Sequence, residues 1–472
     1  MRYFILTIIG LISLMMASCI EDGITTSSTD ILTFSRDTVC FDTVFTELGT
    51  PTARLLVYNK AKKGVNISSI RFRNSDTRFQ INVDGVSGTE FHDVEIRAKD
   101  SIYVFIECYL PEESSNVPTL TADELEFVTN GVNQVVRVEA YGQNVTRLRK
   151  ETITADRTLT AERPYVVFDT LRVAEGATLT IEPGAQILFH DGGALVVDGT
   201  LVAVGTPDKK IDLRGDRLDK VLPDAPYDIL AGQWKGVRIT RNSFDNRLEY
   251  VDMRSTESGL MVDSCADLSR SKLTLINSWL HNSQRNVLNS KYAHIDAYGC
   301  CFSEAGDAVV SLTGGLHSFL QCTIANNYLF SAIMNPLVSL YHLLPNHVYE
   351  NELPLMKATF DNCVIHGLVD DINEGDLTGS EVFFRYTSLK SEGADDSNFI
   401  NCIWGTDPLF LTDRPSYYFN YRLANETPIR TAGNRDFLIP IVETDMDGVS
   451  RRQGEGPTPG AYQFVENPAP TE

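Results

Sequence analysis

Five short phrases in the second half of the chain share one pattern, in which a serine or cysteine is followed by apolar residues. The serine or cysteine positions are Ser278, Cys300, Cys322, Cys363 and Cys402. The first three are spaced by 22 residues, and the later steps of 41 and 39 residues each suggest two coils. A fixed period of this length with short strands predicts a right-handed parallel β-helix, whose coils lie about 4.8 Å apart.

Residues in phase stack directly on one another in such a fold, so these five small residues are expected to form an internal structural ladder. The alternative is a metal or redox site. The sequence contains no C-x-x-C pair and no cysteine–histidine cluster with zinc spacing, so we predict no metal site. Buried cysteines commonly act as small hydrophobic residues. Asn277, Asn362 and Asn401 precede the ladder and are predicted to adopt left-handed turns and to hydrogen-bond between coils.

Residues 31–147 have a different pattern, with about eight short stretches of alternating apolar and polar residues separated by turn residues. Short strands separated at regular intervals by turn residues predict an antiparallel β-sandwich. Asn130-Gly131 between apolar stretches predicts a hairpin. Cys40 and Cys108 are candidates for a disulfide in this domain, and their spacing leaves the question open. The chain is therefore expected to be all-β, with a sandwich followed by a β-helix.

The first residues predict export. Residues 1–18 combine Arg2 with an apolar stretch from Tyr3 to Ala17, as in a signal peptide. That stretch is shorter than the roughly 20 residues that span a bilayer. The net charge of −22 argues against nucleic acid as a partner, because phosphates require a basic surface.

Ala17-Ser18-Cys19 resembles a bacterial lipobox, which implies cleavage before Cys19 and lipid attachment at that cysteine. The alternative is an ordinary signal peptide with a chance cysteine. Ile20-Glu21-Asp22 resembles the export tag of cell-surface lipoproteins in the Bacteroidetes. The resemblance implies a protein anchored in the outer membrane and exposed at the cell surface, with residues 19–30 as a lipidated tether.

Two further resemblances concern the domains. The phrase from Phe41 to Thr46, with Val57-Tyr58-Asn59, resembles the immunoglobulin-like modules of such lipoproteins. The phrases Asp407-Pro408-Leu409-Phe410, Asp445-Met446-Asp447-Gly448 and Gly460-Ala461-Tyr462 resemble the closing segment of the pectate-lyase-like superfold. We therefore expect a β-helix over residues 148–406, a cap over its open end from 407 to 465, and a disordered tail over 466–472.

The superfold hosts polysaccharide lyases and glycoside hydrolases, which makes carboxylates the candidate catalytic groups. Asp370-Asp371 and Asp395-Asp396 are adjacent pairs in loop-like stretches. Ile365-His366-Gly367 matches only part of the Gly-His-Gly phrase of polygalacturonases. Because neighbouring residues on a strand point to opposite faces, neither pair is assigned a catalytic role.

The turn after residue 369 is rich in oxygen ligands and is a candidate acidic site for Ca²⁺. Its members are Asp370, Asp371, Asn373, Glu374 and Asp376. Its glycine falls one position early for an EF-hand loop, so a solvated acidic turn is the alternative. No other cofactor is expected.

The stretch from Leu329 to Met356 interrupts the 22-residue rhythm, and long loops on a rigid scaffold often carry recognition. The candidate ligand or partner surface comprises Tyr341, His342, His347 and Tyr349. The alternative is that Leu337–Leu340 is another coil strand and the rest is a packed excursion.

Together these features predict a lipid-anchored cell-envelope protein that binds a glycan or a protein partner without catalysis, including as an accessory subunit of an outer-membrane complex. The competing function is a polysaccharide lyase or glycoside hydrolase. A working carboxylate pair on one face of the β-helix would favour the enzyme. A groove without such a pair, beside an apolar patch on the 329–356 excursion, would favour binding.

Overall fold

The computed structural model describes residues 23–222, 225–346, 349–373 and 375–467. The predicted signal peptide, Cys19 and the last five residues of the predicted tail lie outside this range. The chain divides into two compact units, with the boundary between Asn144 and Val145. Within the described residues the elements are strands and four short 3₁₀ turns, and no helix there is long and apolar enough to cross a membrane. The 3₁₀ turns are Tyr227–Ile229, Arg414–Ser416, Arg435–Phe437 and Pro440–Val442.

The first unit is a sandwich of two sheets. Its strands are β1 (Leu32–Phe34), β2 (Thr38–Phe45), β3 (Ala53–Asn59), β4 (Val65–Phe72), β5 (Phe79–Val83), β6 (Val86–Gly88), β7 (Glu90–Phe91), β8 (Val94–Ile96), β9 (Ser101–Cys108), β10 (Thr119–Thr129) and β11 (Val132–Gln143). One sheet has the order β1-β3-β9-β5-β6 and the other the order β2-β11-β10-β4-β7, with β8 also on β4. Alternate side chains of both sheets meet in one core that includes Leu55, Phe79 and Phe127.

The predicted sandwich is confirmed, with one correction to its pairing. β2 runs parallel to β11, whereas the other pairings between named strands of this unit are antiparallel. The predicted hairpin joins β10 to β11, and both turn residues have positive φ, 52° at Asn130 and 78° at Gly131. Two left-handed residues match the twist of the flanking strands, which explains the Asn-Gly sequence.

Cys40 and Cys108 do not form a disulfide. Cys40 is exposed on β2 of one sheet, whereas Cys108 is buried at the end of β9 in the other. Both thiols are free. Burial raises the pKa of Cys108 to about 12, so this residue is an inert part of the core.

The second unit is a parallel β-helix. Its strands are β12 (Thr146–Arg149), β13 (Thr152–Ile153), β14 (Arg157–Leu159), β15 (Tyr165–Phe168), β16 (Thr170–Val173), β17 (Thr178–Ile181), β18 (Gln186–Phe189), β19 (Ala194–Val197), β20 (Thr200–Val204), β21 (Ile211–Gly215), β22 (Lys220–Leu222), β23 (Ala225–Pro226), β24 (Gly236–Ile239), β25 (Asn246–Glu249), β26 (Val251–Thr256), β27 (Leu260–Val262), β28 (Leu273–Ile276), β29 (Trp279–Ser283), β30 (Leu288–Tyr298), β31 (Cys301–Ala305), β32 (Val310–Leu320), β33 (Thr323–Asn326), β34 (Val338–Tyr341), β35 (Leu355–Asp361), β36 (Val364–Gly367), β37 (Glu381–Arg385), β38 (Ser388–Leu389) and β39 (Phe399–Ile400). Apart from the β22–β23 hairpin, the named strands pair in parallel with the strand one coil later.

Each coil contributes to three faces. Face 1 has the strand order β12-β15-β18-β21-β26-β29-β31-β33-β36-β38. Face 2 runs from β13 through β16, β19, β24 and β27, and face 3 from β14 through β17, β20, β25 and β28. Faces 2 and 3 merge in β30 and β32, which bend at Tyr292 (φ 35°) and Gly314 (φ 72°).

Aliphatic and aromatic side chains fill the interior in register. Phe319, Phe360, Phe384 and Phe399 stack on consecutive coils, with ring centroids 5.0, 4.8 and 4.9 Å apart. Their ring planes lie within 12° of parallel. A column of this kind follows from the register, because identical positions of neighbouring coils face one another.

The predicted ladder is present, with one further rung. Strand register places Ser278, Cys300, Cys322 and Cys363 in one column, and Thr387 lies between Cys363 and Cys402. The first four and Thr387 are fully buried. All of these cysteines are free thiols. The ladder is therefore a packing feature of the corner between face 3 and face 1.

The prediction that the 41- and 39-residue steps each span two coils is wrong for the first step and correct for the second. The 41 residues from Cys322 to Cys363 form one coil, because β33 pairs directly with β36 and β32 directly with β35. The coil is lengthened by loops on either side of β34. The 39 residues from Cys363 to Cys402 form two coils, with Thr387 on the middle rung.

The residues before the ladder are left-handed, as predicted. The column contains Asn277, Gly299, Gln321, Asn362, Tyr386 and Asn401, with φ between 43° and 64°. The predicted bonds between asparagines are absent, because other residues occupy the intervening coils. Asn277 instead donates to the hydroxyl of Tyr250, and Asn362 exchanges two hydrogen bonds with the backbone of Asn434.

Residues 407–465 do not cover the open end of the coil stack. Tyr421, Met446 and Tyr462 pack on Cys301 and Ala325, which lie on the outer side of face 1. This lateral segment is held by Arg451, which is fully buried and donates to the backbone of Ala461 at 2.7 Å and to Gln321 at 3.2 Å. The last coil is instead packed by Trp404, whose ring lies 5.0 Å from that of Phe399.

Candidate functional site

The 329–356 excursion has two parts. Its middle, β34, is a coil strand that pairs in parallel with Val310–Thr313, as the alternative interpretation expected. Beyond it, Leu343 and Leu353 close a narrow loop through an antiparallel bridge. Several apolar side chains of the excursion are exposed: Phe330, Met334, Tyr341, Leu344 and Met356.

The three described candidate recognition residues of the excursion, Tyr341, His342 and Tyr349, do not form one surface. Tyr341 is 44% exposed, whereas the His342 ring accepts a hydrogen bond from the Leu355 amide at 3.0 Å. The Tyr349 hydroxyl is hydrogen-bonded to Ser264, which turns its ring back onto the β-helix. His347 lies outside the described residues. Two of the three described candidates therefore brace the loop.

The candidate Ca²⁺ ligands point to separate structural partners. Asp371 is buried and accepts from the Ser391 amide at 2.7 Å. Asn373 exchanges two hydrogen bonds with the backbone of Leu340, and Asp376 accepts from the amide and hydroxyl of Thr378. Glu374 lies outside the described residues. Within those described, no group of three or more His, Cys, Asp or Glu side chains is arranged to hold a metal ion.

The second acidic pair is also structural. Asp395 accepts hydrogen bonds from the amides of Asn401 and Cys402 and from the indole of Trp404, and these bonds lower its pKa. Asp396 accepts from two backbone amides of the same turn. Both carboxylates therefore shape the last coil, and neither forms a working pair with the other.

The structure brings together a different set of charged side chains on the outer side of face 1. This face-1 charge cluster comprises Asp212, Arg214, Asp228, Asp252, Arg254 and His281. Register explains the assembly: β21, β26 and β29 are neighbours, and their outward positions form two adjacent columns. Asp228 joins from the 3₁₀ turn Tyr227–Ile229, part of the excursion that follows β21.

Arg254 is the centre of the cluster. Its Nη1 lies 2.6 Å from Asp212 Oδ1 and 2.8 Å from Asp252 Oδ1, and its Nε lies 2.9 Å from Asp228 Oδ2. Arg214 contacts the same Asp228 oxygen at 3.0 Å, and His281 Nε2 lies 3.1 Å from Asp252. The Arg254 side chain is 14% exposed and that of Asp252 is 27% exposed, so the network is largely buried but reaches solvent.

Two of the three carboxylates that contact Arg254, those of Asp212 and Asp252, have opposite pKa shifts. Burial raises the pKa of Asp212, and the charge of Arg254 offsets only part of this effect. Burial also opposes ionisation of Asp252, but the charge of Arg254 and the hydrogen bond to His281 outweigh it, so the pKa of Asp252 is lowered. The three carboxylates in turn raise the pKa of Arg254 against the effect of its burial.

Aromatic groups border the cluster on the side of the lateral segment. The rings of Trp279 and His281 are stacked, with centroids 4.1 Å apart and planes 18° apart. Trp279 Nε1 donates to Ser303 at 2.9 Å. One strand farther, Glu304 is buried and hydrogen-bonded to the Tyr421 hydroxyl. The site therefore lies between the excursion carrying Asp228 and residues 407–465, and it combines fixed charges with an aromatic pair.

The prediction from sequence missed this cluster, although a signal was present. Ile211-Asp212-Leu213-Arg214 and Val251-Asp252-Met253-Arg254 repeat the same pattern of apolar, Asp, apolar, Arg. Alternation places the acidic and basic residues on one face of each strand. Neighbouring coils bring the two phrases side by side, which the search for adjacent acidic pairs could not detect.

Comparison with known proteins gives partial similarities. No family model matches the chain. A stretch of 152 residues is 34% identical to Protein bark beetle of Drosophila melanogaster, covering 27% of this chain. The chain spans only 5% of that relative's length.

Three solved structures show limited likeness. The catalytic unit of a thermostable GH87 α-1,3-glucanase from Streptomyces thermodiastaticus strain HF3-3 is 10% identical, covering 74% of this chain and 77% of its own, at a TM-score of 0.20. A protein of unknown function from Porphyromonas gingivalis W83 is 12% identical, covering 26% and 59%, at 0.19. A family 123 glycoside hydrolase from Clostridium perfringens is 9% identical, covering 24% and 26%, at 0.17. The β-helix assignment rests on the chain's own strand register.

Proposed function

We propose that this chain is a non-catalytic glycan-binding protein of the bacterial cell envelope, with the face-1 charge cluster as its binding site. The proposal includes a lipid anchor at Cys19, expected from the lipobox-like Ala17-Ser18-Cys19, and exposure at the outer membrane, expected from the resemblance of Ile20-Glu21-Asp22 to an export tag. Its main support is the geometry of Arg254, which holds three carboxylates in fixed positions while 15–27% of each acidic side chain stays exposed.

The chemistry of the cluster suits a polyhydroxyl ligand. Carboxylates fixed by arginine keep free lone pairs for hydroxyl donors. The stacked Trp279 and His281 rings supply apolar surface beside these polar groups. A small number of well-oriented polar groups next to an aromatic side chain is typical of small-molecule sites.

The same geometry argues against hydrolysis. Glycoside hydrolysis requires one carboxylic acid that stays protonated and a second carboxylate, about 5–9 Å apart. Here one nitrogen, Nη1 of Arg254, contacts both Asp212 and Asp252, which favours the ionised form of each. Asp252, whose pKa is lowered by this contact and by the hydrogen bond to His281, is therefore a poor proton donor.

A glycoside hydrolase remains the second candidate, because one observation favours it. The pKa of Asp212 is raised while that of its neighbour Asp252 is lowered. Environments that push the pKa values of two carboxyls apart are the usual signature of an acid and its partner. In that function Asp212 would be the acid and Asp252 the carboxylate.

Affinity electrophoresis through gels containing soluble acidic or neutral polysaccharides tests the proposal with the purified chain. We expect retardation by at least one polysaccharide and at least tenfold weaker binding in Asp252→Asn, which keeps the shape of the side chain but removes its charge. Asn289→Ala on face 2 of the β-helix is the matched control and should bind normally. Equal binding by Asp252→Asn and the natural chain would contradict the assignment of the site.

The same polysaccharides, incubated with the chain and assayed for reducing or unsaturated ends, separate the two candidates. We expect no release of new ends. Release that disappears in Asp212→Asn would replace the binding function with the enzyme. Protease treatment of intact cells, compared with a Cys19→Ser variant, tests the anchor and the surface location.

A further inference from the structure

The outer side of the sandwich sheet β1-β3-β9-β5-β6 carries apolar side chains at positions that usually hold polar ones. An antiparallel sheet with one face in the core normally alternates apolar and polar residues along each strand. In β3 and β9 the inward positions are buried as expected, but four of the seven outward ones are also apolar or aromatic. We call these residues the aromatic face: Leu56, Tyr58, Tyr103 and Phe105.

Strand register places these side chains side by side. Tyr103 of β9 is opposite Leu56 of β3, and Phe105 is opposite Arg54. The rings of Tyr103 and Phe105 are 5.8 Å apart between centroids and within 12° of parallel. The Arg54 guanidinium lies 5.7 Å from the centre of the Tyr103 ring, and Tyr103 is 43% exposed. The aromatic face therefore presents the exposed Tyr103 ring to solvent beside the parallel, partly buried ring of Phe105.

Polar groups surround the rings. Asn82 of β5 is opposite Phe105, and its side-chain amide donates to the Ser87 hydroxyl at 3.0 Å. Glu107, the next outward residue of β9, accepts from Thr52 at 2.9 Å. Arg54 and Glu107 have opposite charges, and Asp84, whose amide donates to the Tyr103 carbonyl at 3.2 Å, is exposed beside them.

The other sheet of the sandwich provides an internal comparison. Its outer side carries ion pairs, including Arg73 with Glu126 at 2.9 Å and Arg137 with Glu139 at 2.9 Å. Such pairs are typical of a solvated sheet surface and contribute little to stability. The aromatic composition of the first sheet is therefore not a requirement of the sandwich itself.

The size and charge of the aromatic face indicate the kind of occupant. Strands β3, β5 and β9 have 7, 5 and 8 residues, so about ten side chains point outward. A stable protein interface uses about 20–30 residues on each side. A rim that includes the acidic Asp84, in a chain of net charge −22, does not attract an anionic ligand or an anionic lipid surface.

We infer that the aromatic face is a second carbohydrate contact, which takes a short stretch of a neutral polysaccharide. The C–H groups of a pyranose ring carry partial positive charge and pack against the electron-rich face of an aromatic ring. The hydroxyls around the sugar ring meet the amide, hydroxyl and charged groups of the rim. This inference concerns the first unit alone and does not depend on the face-1 charge cluster.

Affinity electrophoresis through xyloglucan, galactomannan and laminarin tests the inference in the full chain carrying Asp252→Asn, so that the face-1 cluster is impaired. We expect retardation by at least one of these neutral polysaccharides. Tyr103→Thr with Phe105→Thr should weaken binding at least tenfold, because both rings are lost while the β-branched replacements suit a strand. Tyr141→Thr, an exposed tyrosine of the other sheet, is the matched control and should leave binding unchanged.

Circular dichroism of each variant establishes that the sandwich is folded, and Tyr103→Phe with Phe105 retained should keep most of the binding. Two results would overturn the inference: no retardation of the natural chain by any of the three polysaccharides, or unchanged retardation of the folded double-threonine variant. Concentration-dependent self-association that the double variant abolishes would assign the face to a second copy of this chain instead.

Discussion

The two units of this chain build β-sheet cores by different routes. In the sandwich, neighbouring strands are often joined by tight turns, and each core residue occupies a position that occurs once. In the β-helix each strand pairs with one a full coil later, so the same position is occupied again and again by residues of similar kind. A substitution that disrupts core packing therefore affects one position in the sandwich, whereas in the β-helix it affects a column of stacked side chains.

The tryptophans separate the two units experimentally, because Trp234, Trp279 and Trp404 all lie in the β-helix. Tryptophan fluorescence thus reports on that unit, while far-ultraviolet circular dichroism reports on both. Each prediction below uses this difference.

The largest effect is expected for Phe360→Ala, in the middle of the phenylalanine column. Its ring stacks on those of Phe319 and Phe384, so its removal leaves a cavity between two coils. We expect the tryptophan-detected free energy of unfolding to fall by about 3–5 kcal/mol. Phe127→Ala in the sandwich core should leave that transition unchanged, and equal loss in both variants would show that the units unfold as one.

The second prediction compares charged groups in the two units. Removing the guanidinium with Arg254→Met leaves Asp212, Asp228 and Asp252 largely buried around an uncharged side chain. Breaking such a network should destabilise the β-helix by about 3 kcal/mol. Arg73→Met on the sandwich surface should lower the free energy of unfolding in urea by at most about 1 kcal/mol, because the Arg73 side chain is 52% exposed and Glu126 keeps Arg71 at 3.8 Å. A near-zero change in the free energy of unfolding of Arg254→Met would mean that the cluster is solvated.

The smallest predicted effect depends on pH. His317 is buried inside the β-helix, where desolvation lowers its pKa to about 4 from about 6.5. Below pH 6.5 the unfolded chain binds a proton that the folded chain does not, so stability falls as the pH drops toward 4. From pH 7.5 to pH 5 this residue should cost about 2 kcal/mol.

His317→Gln should remove this part of the acid sensitivity from tryptophan-detected urea denaturation. The only histidine of the sandwich, His92, is largely exposed and provides no comparable burial cost. An identical pH dependence in the natural chain and in His317→Gln would exclude this origin.

The sequence predicts different features of the fold in the two units. The 22-residue spacing of Ser278, Cys300 and Cys322 predicted the coil length, and Asn130-Gly131 predicted its hairpin, because both depend on local sequence. The parallel pairing of β2 with β11 depends on strands about 100 residues apart, and no local signal specifies it.

The misjudged coil and the lateral segment have physical reasons. A 41-residue step resembles two coils by length alone, and β34 within it has the sequence of a coil strand. The segment 407–465 carries apolar groups such as Tyr421 and Met446 that need a surface, and face 1 offers one at Cys301 and Ala325. Sequence shows that such groups must be covered, but not by which surface.

The candidate site was the least predictable part. Asp370, Asp371 and Asp376 attracted attention because they are close in sequence, but backbone amides of turns satisfy the side chains of Asp371 and Asp376. Asp212, Asp252 and Arg254 are separated by up to 42 residues and meet through strand register. The repeated Asp-apolar-Arg phrase becomes informative once the coil that joins β21 to β26 is known.

The coil from Cys322 to Cys363 has a consequence for how such proteins diversify. Nearly twice as long as its predecessors, it leaves the rungs above and below aligned on face 1. The length of a loop at a corner of the stack therefore does not determine how the strands on either side of it pair. Insertions there can be sampled by evolution, or grafted by an engineer, without refolding the neighbouring coils, so new binding loops can arise on an unchanged frame.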